Sequence, residues 1–229
     1  MTTPANILGQ AAAKWLGWDS FAGVSLAHPC GLAIDQQKIE SITNHPRHYG
    51  FHGTLKAPFR LSDGFSEADI LSVFEDFGKH QKMPKTPIFE VNKLDGFYAL
   101  TAKSAVSELN ALANSAMRHF ERFRAPITNS DYEKRKPHLL SDRQRSYLVE
   151  WGYPFVFEEF HFHMTLSDRV DDDDALIGQA LKQHFTPNLL AANHSFGIGL
   201  CVEADKQPFQ VLAFAPLTNF GIEENRNVS

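Results

Sequence analysis

Two short stretches decide the fold: Phe51-His-Gly-Thr-Leu-Lys56 and Phe162-His-Met-Thr-Leu-Ser167. Each contains a His-x-Thr-Leu string with apolar neighbours. Because alternate side chains of a β-strand share one face, the His and the Thr of each copy would project together while their neighbours face the core. The pattern therefore predicts two strands, each with a polar strip on one face.

The elements around the two strings recur in the same order. In the first half, the hydrophobic pattern predicts a strand, a helix and two further strands, over Gly50–Ala57, Ser66–His80, Pro87–Leu94 and Gly96–Ala102. In the second half it predicts the same series over Phe160–Val170, Asp172–Phe185, Ser195–Glu203 and Phe209–Phe214. This order predicts an α+β fold of duplicated β-α-β-β lobes, with two antiparallel sheets and outer helices around a central groove.

We expect residues 1–229 to form a single two-lobed domain. Lobe one covers about 45–125, a connecting segment about 126–157, and lobe two about 158–216. Helices are also expected over Ala105–Phe123 and from a capping box at Ser141–Gln144 to about Gly152. A shorter N-terminal helix near Ile7–Trp15 would pack on the lobes.

Composition and charge limit the possible partners. The chain has 43% hydrophobic and 21% charged residues, which excludes a disordered chain or a coiled coil. Its 22 basic and 27 acidic residues give a net charge of −5. Long nucleic acid is therefore not an expected partner, since binding it requires a basic surface. A small phosphorylated substrate, held by a few local cations, remains compatible with this charge.

Cysteine content and hydropathy bear on the cellular location. Cys30 and Cys201 are too few for a disulfide scaffold. The sequence shows no basic-then-apolar leader, and no apolar run approaches the ~20 residues that cross a membrane. We therefore expect a reduced cytoplasmic protein with no membrane partner, and we favour a monomer.

Two facing polar strips would supply the groups that phosphodiester hydrolysis needs. One of His52 and His163 can take a proton from the attacking oxygen while the other gives a proton to the leaving oxygen. Imidazole suits both tasks because its ordinary pKa is about 6.5. Thr54 and Thr165 would bind the phosphoryl oxygens. The arrangement requires neither a metal nor another cofactor.

Nearby polar residues have two interpretations each. Lys56 and Arg169 share the predicted polar faces and are candidate phosphate contacts, or they are solvated strand-end cations. His161 flanks the predicted groove as a candidate substrate contact, or it forms a metal-binding pair with His163. The sequence shows no third ligand at a recognisable spacing, which favours a site without metal.

A basic cluster follows the first half of the chain, at Lys134–Lys136, Arg143 and Arg145. It is either a solvated loop and helix face or a lip of the substrate site. An extended basic track leading from the groove would favour RNA as the substrate.

Paired His-x-Thr-apolar strands in two similar halves resemble the signature of the two-histidine phosphoesterase superfamily. This superfamily includes RNA ligase-like enzymes, cyclic nucleotide phosphodiesterases and RNA-end-processing enzymes. The longer strings Tyr49–Phe59 and Trp151–Leu166 are similar to a bacterial branch often encoded beside phosphonate-utilisation genes. The resemblance implies a bilobal α+β fold with His52, Thr54, His163 and Thr165 in a central groove.

The expected function is hydrolysis of a small cyclic phosphodiester, on a ribose-like sugar or a nucleotide, by a metal-independent hydrolase. His52 and His163 are the predicted acid–base pair, and the sequence does not say which is the acid. A place in phosphonate metabolism follows from the resemblance. Two alternatives stay open: RNA 2′,3′-cyclic phosphate end processing, and a non-catalytic module that binds a phosphorylated metabolite.

Overall fold

The computed structural model describes residues 1–85, 87–170, 175–192, 194–204 and 207–217, and confirms the α+β class. The α-helices of this part of the chain are α1 (Ile7–Leu16), α2 (Gln36–Ile42), α3 (Asn44–Tyr49), α4 (Glu67–Lys79), α5 (Val106–Phe120), α6 (Asn129–Lys134), α7 (Asp142–Trp151), α8 (Ala175–His184) and α9 (Pro187–Ala191). The strands are β1 (Trp18–Asp19), β2 (Val24–Ser25), β3 (Phe89–Leu94), β4 (Phe97–Ala102), β5 (His163–Arg169), β6 (Gly197–Val202) and β7 (Gln210–Pro216). Of the helices in the described ranges, none has the length and apolar character needed to cross a bilayer.

The longer predicted helices are confirmed, with small shifts at their ends. The capping box of α7 is present, because the Ser141 hydroxyl accepts from the Gln144 amide and the Gln144 side chain accepts from the Ser141 amide. Ser66 and Asp69 make a similar exchange ahead of α4. The first residues of the helix predicted over Asp172–Phe185, Asp172–Asp174, lie outside the described residues.

The strand predicted over Gly50–Ala57 is wrong. Of these residues, all of which the structure describes, Gly53 alone forms a β-bridge, with Met164. Gly50 ends α3 with φ 69° and ψ −179°, a conformation in which glycine alone is unstrained, and it turns the chain there. Pro58 has no N–H for a further ladder bond. The first His-x-Thr string is therefore a bent segment held by one bridge.

Strands β3, β4 and β5 form one antiparallel sheet in that order, β1 pairs with β2, and β6 pairs with β7. An Asp95-Gly96 turn, with both residues at positive φ, joins β3 to β4 as expected for a tight hairpin. The register places Thr101 opposite His163 and Ala99 opposite Thr165. The second His-x-Thr string therefore lies on β5, an edge strand of this sheet, whose outer side meets the Gly53 bridge. The duplicated two-lobed arrangement stays a prediction.

The chain divides into two compact units. The first comprises Met1–Gly53, Gly78–Ala105 and the described residues from His163 onward, and its sheet packs against α1, α3 and α8. Its core contains fully buried apolar side chains: Leu8, Trp15, Leu100, Met164, Leu166, Ile177 and Leu181. The second unit comprises Thr54–Phe77 and Val106–Phe162. Its core includes the rings of Phe77, Phe120 and Phe123 and a cluster around Met117 and Phe157.

In the first unit, two contacts fix β5 to the helices that come before the first string. The indole Nε1 of Trp15 in α1 donates to the buried carbonyl of Leu166 at 2.8 Å. The Asp168 carboxylate accepts from the backbone N of His45, in the first turn of α3, and lies 2.8 Å from the His45 Nδ1. Because α3 leads directly to Gly50, these contacts position both strings.

The Trp15 contact gives a prediction for stability. Trp15→Phe leaves the Leu166 carbonyl buried without its donor and opens a small cavity, so the free energy of unfolding should fall by about 2–4 kcal/mol. Ile7→Ala, on the exposed side of the same helix, is the control and should change it by less than about 0.5 kcal/mol. Urea unfolding measures both. Equal effects of the two substitutions would contradict the role given to Trp15.

Candidate functional site

The first histidine is oriented by the end of α3. His52 follows Gly50 closely, and its Nδ1 lies 3.1 Å from the Gly50 carbonyl oxygen. Since a carbonyl oxygen only accepts, the proton of a neutral His52 ring belongs on Nδ1. The lone pair then belongs to Nε2, the nitrogen a general base would use.

The bridge between Gly53 and Met164 brings the two strings together. In its antiparallel register, His52 lies opposite Thr165 and diagonal to His163. Residues opposed in this way point to the same face, and diagonal neighbours are about 7–8 Å apart. Both imidazoles and the Thr165 hydroxyl therefore occupy one face of the sheet, which we call the histidine face.

The electrostatic environment keeps His52 neutral. Burial, the largest cause, lowers the pKa of His52 from 6.5 to about 4, although part of the side chain still reaches solvent. The bond to the Gly50 carbonyl opposes this shift, and the charge of His163 reinforces it. His52 is therefore a neutral imidazole, with one ring proton, at neutral pH.

The second histidine is supported by β4. His163 is half-buried, and its ring centroid lies 5.7 Å from that of Phe97. Thr101 is its direct cross-strand partner, and Ala99 is the partner of Thr165. Ala99 itself is fully buried.

Besides Lys56, two of the predicted site residues belong to the second unit. Thr54 is exposed and follows the Gly53 bridge directly. His161 is also exposed, and its Nδ1 lies 3.2 Å from the Glu159 carbonyl oxygen. Both stay predicted substrate contacts.

Lys56 and Arg169 are bound to other protein groups. In the second unit the Lys56 ammonium donates to Glu121 at 2.6 Å with only 8% of its side chain exposed, and burial lowers its pKa. The Arg169 guanidinium donates to the Asp95 carbonyl, at the far end of β5 and roughly 20 Å along the strand from His163. The mechanism proposed below uses neither cation.

The basic cluster of the second unit is largely paired. Lys134 lies near Asp131, Arg143 near Glu159, and Arg145 binds Asp142, while Arg135 stacks on Tyr153. These internal contacts favour the interpretation of a solvated loop and helix face.

A separate cavity of about 690 Å³ in the first unit contains neither string. It lies between α8 and the strands β3 and β4, and its lining includes Lys93, Tyr98, Gly178 and Lys182. Across the described ranges, no three His, Cys, Asp or Glu side chains cluster closely enough to hold a metal ion.

Sequence reasoning missed the groups that orient the histidines. The Gly50 carbonyl acts through the backbone, and its signal was the glycine directly before the Phe-His string. Asp168 follows the second string, but its partner α3 is a six-residue helix with no apolar periodicity to reveal it.

Comparison with known proteins shows which family the chain belongs to. Residues 54–210 match a family described as "Protein of unknown function (DUF1045)". The chain belongs to this family. The matched stretch includes His163 and Thr165 and begins just after His52.

Two curated proteins, each named "Ribose 1,5-bisphosphate phosphokinase PhnN", are similar to the chain. The protein of Janthinobacterium sp. (strain Marseille) is 36% identical over 186 residues, which are 80% of this chain and 41% of that protein. The protein of Laribacter hongkongensis (strain HLHK9) is 30% identical over 172 residues, which are 75% of this chain and 39% of that protein. The chain thus spans about two fifths of the length of the curated relatives it matches. No solved structure matches the chain.

The lowered pKa of His52 predicts how stability depends on pH. Between pH 6.5 and about 4 the unfolded chain binds a proton at His52 that the folded chain does not, so acidification favours unfolding. His52→Asn keeps a donor for the Gly50 carbonyl and removes the titrating group. The free energy of unfolding of the wild type should therefore fall more steeply than that of the variant from pH 7 to 4.5. Urea unfolding at several pH values tests this, and parallel pH curves would refute it.

Proposed function

We propose that the chain is a phosphodiesterase that opens a small cyclic phosphate on a ribose-like sugar. His52 is the general base and His163 the general acid. The observation that carries this proposal is the shared face of the two histidines. The register of the Gly53–Met164 bridge puts the two imidazoles in diagonal positions on one face, and the Gly50 carbonyl fixes the ring of His52. Membership of the two-histidine superfamily, with its duplicated two-lobed fold and a context in phosphonate metabolism, is part of the proposal.

The reaction is a displacement at phosphorus with two proton transfers. The oxygen of a water molecule attacks the phosphorus atom while the Nε2 of His52 takes a proton from that water. The bond from phosphorus to one ring oxygen breaks, and His163, as an imidazolium, gives its proton to that oxygen. Thr165, opposite His52, donates to a non-bridging oxygen, and Thr54 is proposed to do the same. The product is a phosphate monoester, and proton exchange with solvent restores both imidazoles.

The environment of His52 suits this role once the substrate binds. A base works best when its pKa is near the working pH, and that of His52 starts at about 4. A phosphodiester anion bound on the histidine face favours the charged form of nearby imidazoles and raises their pKa values. His52 thus enters the reaction as a neutral imidazole, and the bound anion then raises its pKa.

The relatives suggest which sugar carries the cyclic phosphate. They are named as kinases of ribose 1,5-bisphosphate, and the chain matches two fifths of their length. Its sequence contains no Gly-x-x-x-x-Gly-Lys-Ser/Thr string, the phosphate-binding loop of many kinases. We therefore assign the kinase reaction to the remainder of those proteins. To the part that they share with this chain we assign a reaction that produces ribose 1,5-bisphosphate.

The positions of the ribose hydroxyls then limit which cyclic phosphate can be the substrate. A phosphate on O1 of ribose can close a five-membered cyclic diester only onto the neighbouring O2. Breaking the bond from phosphorus to O2 leaves the phosphate on O1. The proposed substrate is therefore ribose 5-phosphate carrying a 1,2-cyclic phosphate, and the product is ribose 1,5-bisphosphate. His163 would protonate O2.

Charge favours this small substrate over RNA. The protein carries a net charge of −5, and most cations of its one dense basic cluster are paired with acids or with an aromatic ring. Long RNA gains affinity by releasing counterions from many phosphates, which requires cations available to replace them.

The experiment measures turnover of cyclic phosphates by ³¹P NMR. The panel contains the 1,2-cyclic phosphate of ribose 5-phosphate, 2′,3′-cyclic AMP and an oligoribonucleotide with a 2′,3′-cyclic end. His52→Asn and His163→Asn should each lower kcat/KM by about 10²–10⁴-fold, because each removes one proton transfer. The ribose substrate should be hydrolysed best.

His138→Asn, at an exposed site in the second unit, is the matched control and should match the wild type. Excess chelator should not change the rate. Full activity of both histidine variants, or restoration of a chelated enzyme by zinc, would contradict the mechanism. A strong preference for the oligonucleotide that disappears at high salt would favour RNA-end processing, and binding without turnover would favour a non-catalytic module.

A further inference from the structure

A chain of hydrogen bonds crosses β3 and β4 on the histidine face. Asn92 in β3 donates from its Nδ2 to the Glu90 carboxylate at 3.0 Å and to the Thr101 hydroxyl oxygen at 2.7 Å. The register pairs Glu90 with Thr101, and Thr101 in turn with His163. The chain thus runs from the outer strand of this sheet toward the second histidine.

The direction of these bonds is fixed by Glu90. A carboxylate only accepts, so the Asn92 atom that faces it must be the amide nitrogen rather than the amide oxygen. The second N–H of that nitrogen then goes to Thr101, whose oxygen must accept it. The Thr101 hydroxyl therefore directs its own proton away from Asn92.

The register shows which residue lies on the other side of Thr101. Directly opposed residues of an antiparallel pair have their Cβ atoms about 4.5–5.5 Å apart and project to the same face. Thr101 therefore stands beside His163, on the side away from His52. A third hydroxyl, whose oxygen accepts from Asn92, therefore lies next to the proposed acid.

We propose that Thr101 is a substrate-binding residue that donates to an anionic phosphate oxygen, and that Asn92 and Glu90 are positioning residues that hold its hydroxyl in this direction. The inference rests on the proposed function for the identity of the substrate. A donor held in advance loses little entropy when it meets an oxyanion, and hydrogen bonds to charged groups are stronger than neutral ones. The site would thus take a phosphate between Thr165 on one side and Thr101 on the other.

The test uses inorganic phosphate as the probe, because its binding needs no turnover. NMR follows the His163 ring while phosphate is added to the whole protein. Thr101→Val keeps the shape of the side chain and removes its hydroxyl, and should weaken phosphate binding about ten- to a hundredfold. Tyr98→Phe, which removes a hydroxyl from the opposite face of the same strand, should bind phosphate as the wild type does.

Glu90→Gln separates a positioning role from a general loss of structure. A glutamine can donate as well as accept, so it no longer fixes the Asn92 amide, and phosphate binding should weaken about two- to fivefold. In the Thr101→Val background the same change should have no further effect, since the hydroxyl it orients is gone.

The outcomes distinguish this inference from the proposed function. Equal phosphate binding by Thr101→Val and the wild type, additive effects of the two substitutions, or no phosphate binding at all would each overturn it. If His163→Asn abolishes turnover while Thr101→Val leaves both phosphate binding and KM unchanged, the inference fails and the function stands. If phosphate binding depends on Thr101 but no cyclic phosphate is hydrolysed, the function fails and the binding site stands.

Discussion

The shared face of the two histidines depends on one backbone contact, the antiparallel bridge between Gly53 and Met164. Without it, no backbone contact would join the segment of His52 to the edge strand β5 that carries His163. The bridge forms because α3 is fixed along β5: Asp168 binds its first turn, and Gly50 ends its last turn and leads to the bridge. Trp15 holds β5 from the other side through the Leu166 carbonyl. The adjacency of the two strings thus relies on the bridge between their middle residues and on contacts made by residues outside them.

The two histidines have different surroundings. Gly50 supplies a carbonyl that fixes the ring of His52, and burial lowers the pKa of that ring to about 4. His163 lies beside Phe97 and Thr101 on β5, an edge strand of its sheet. Two identical side chains in two similar strings therefore acquire unlike surroundings, which is what separates a base from an acid. This asymmetry was invisible in the repeated strings themselves.

Sequence reasoning succeeded where the deciding interactions are local. The apolar spacing of α4 and α5 and the capping box of α7 involve residues a few positions apart, and these elements are confirmed. It failed over Gly50–Ala57, where the backbone conformation of Gly50 turns the chain and no regular strand forms. It also misjudged the surroundings of Lys56: the face-sharing argument assumed a regular strand, and Glu121, distant in sequence, binds the ammonium instead. The adjacency of the strings required a pairing between distant segments, which no local pattern encodes.

The central claim is that His52 and His163 sit close together on one face, with His52 held as the unprotonated partner. The most direct measurement is an NMR titration of the His52 ring in the wild type and in His163→Asn. The account predicts a His52 pKa near 4 in the wild type and a higher value in the variant, because the charge of His163 lowers it. A His52 ring that titrates near 6.5, or whose pKa ignores the loss of His163, would contradict the account.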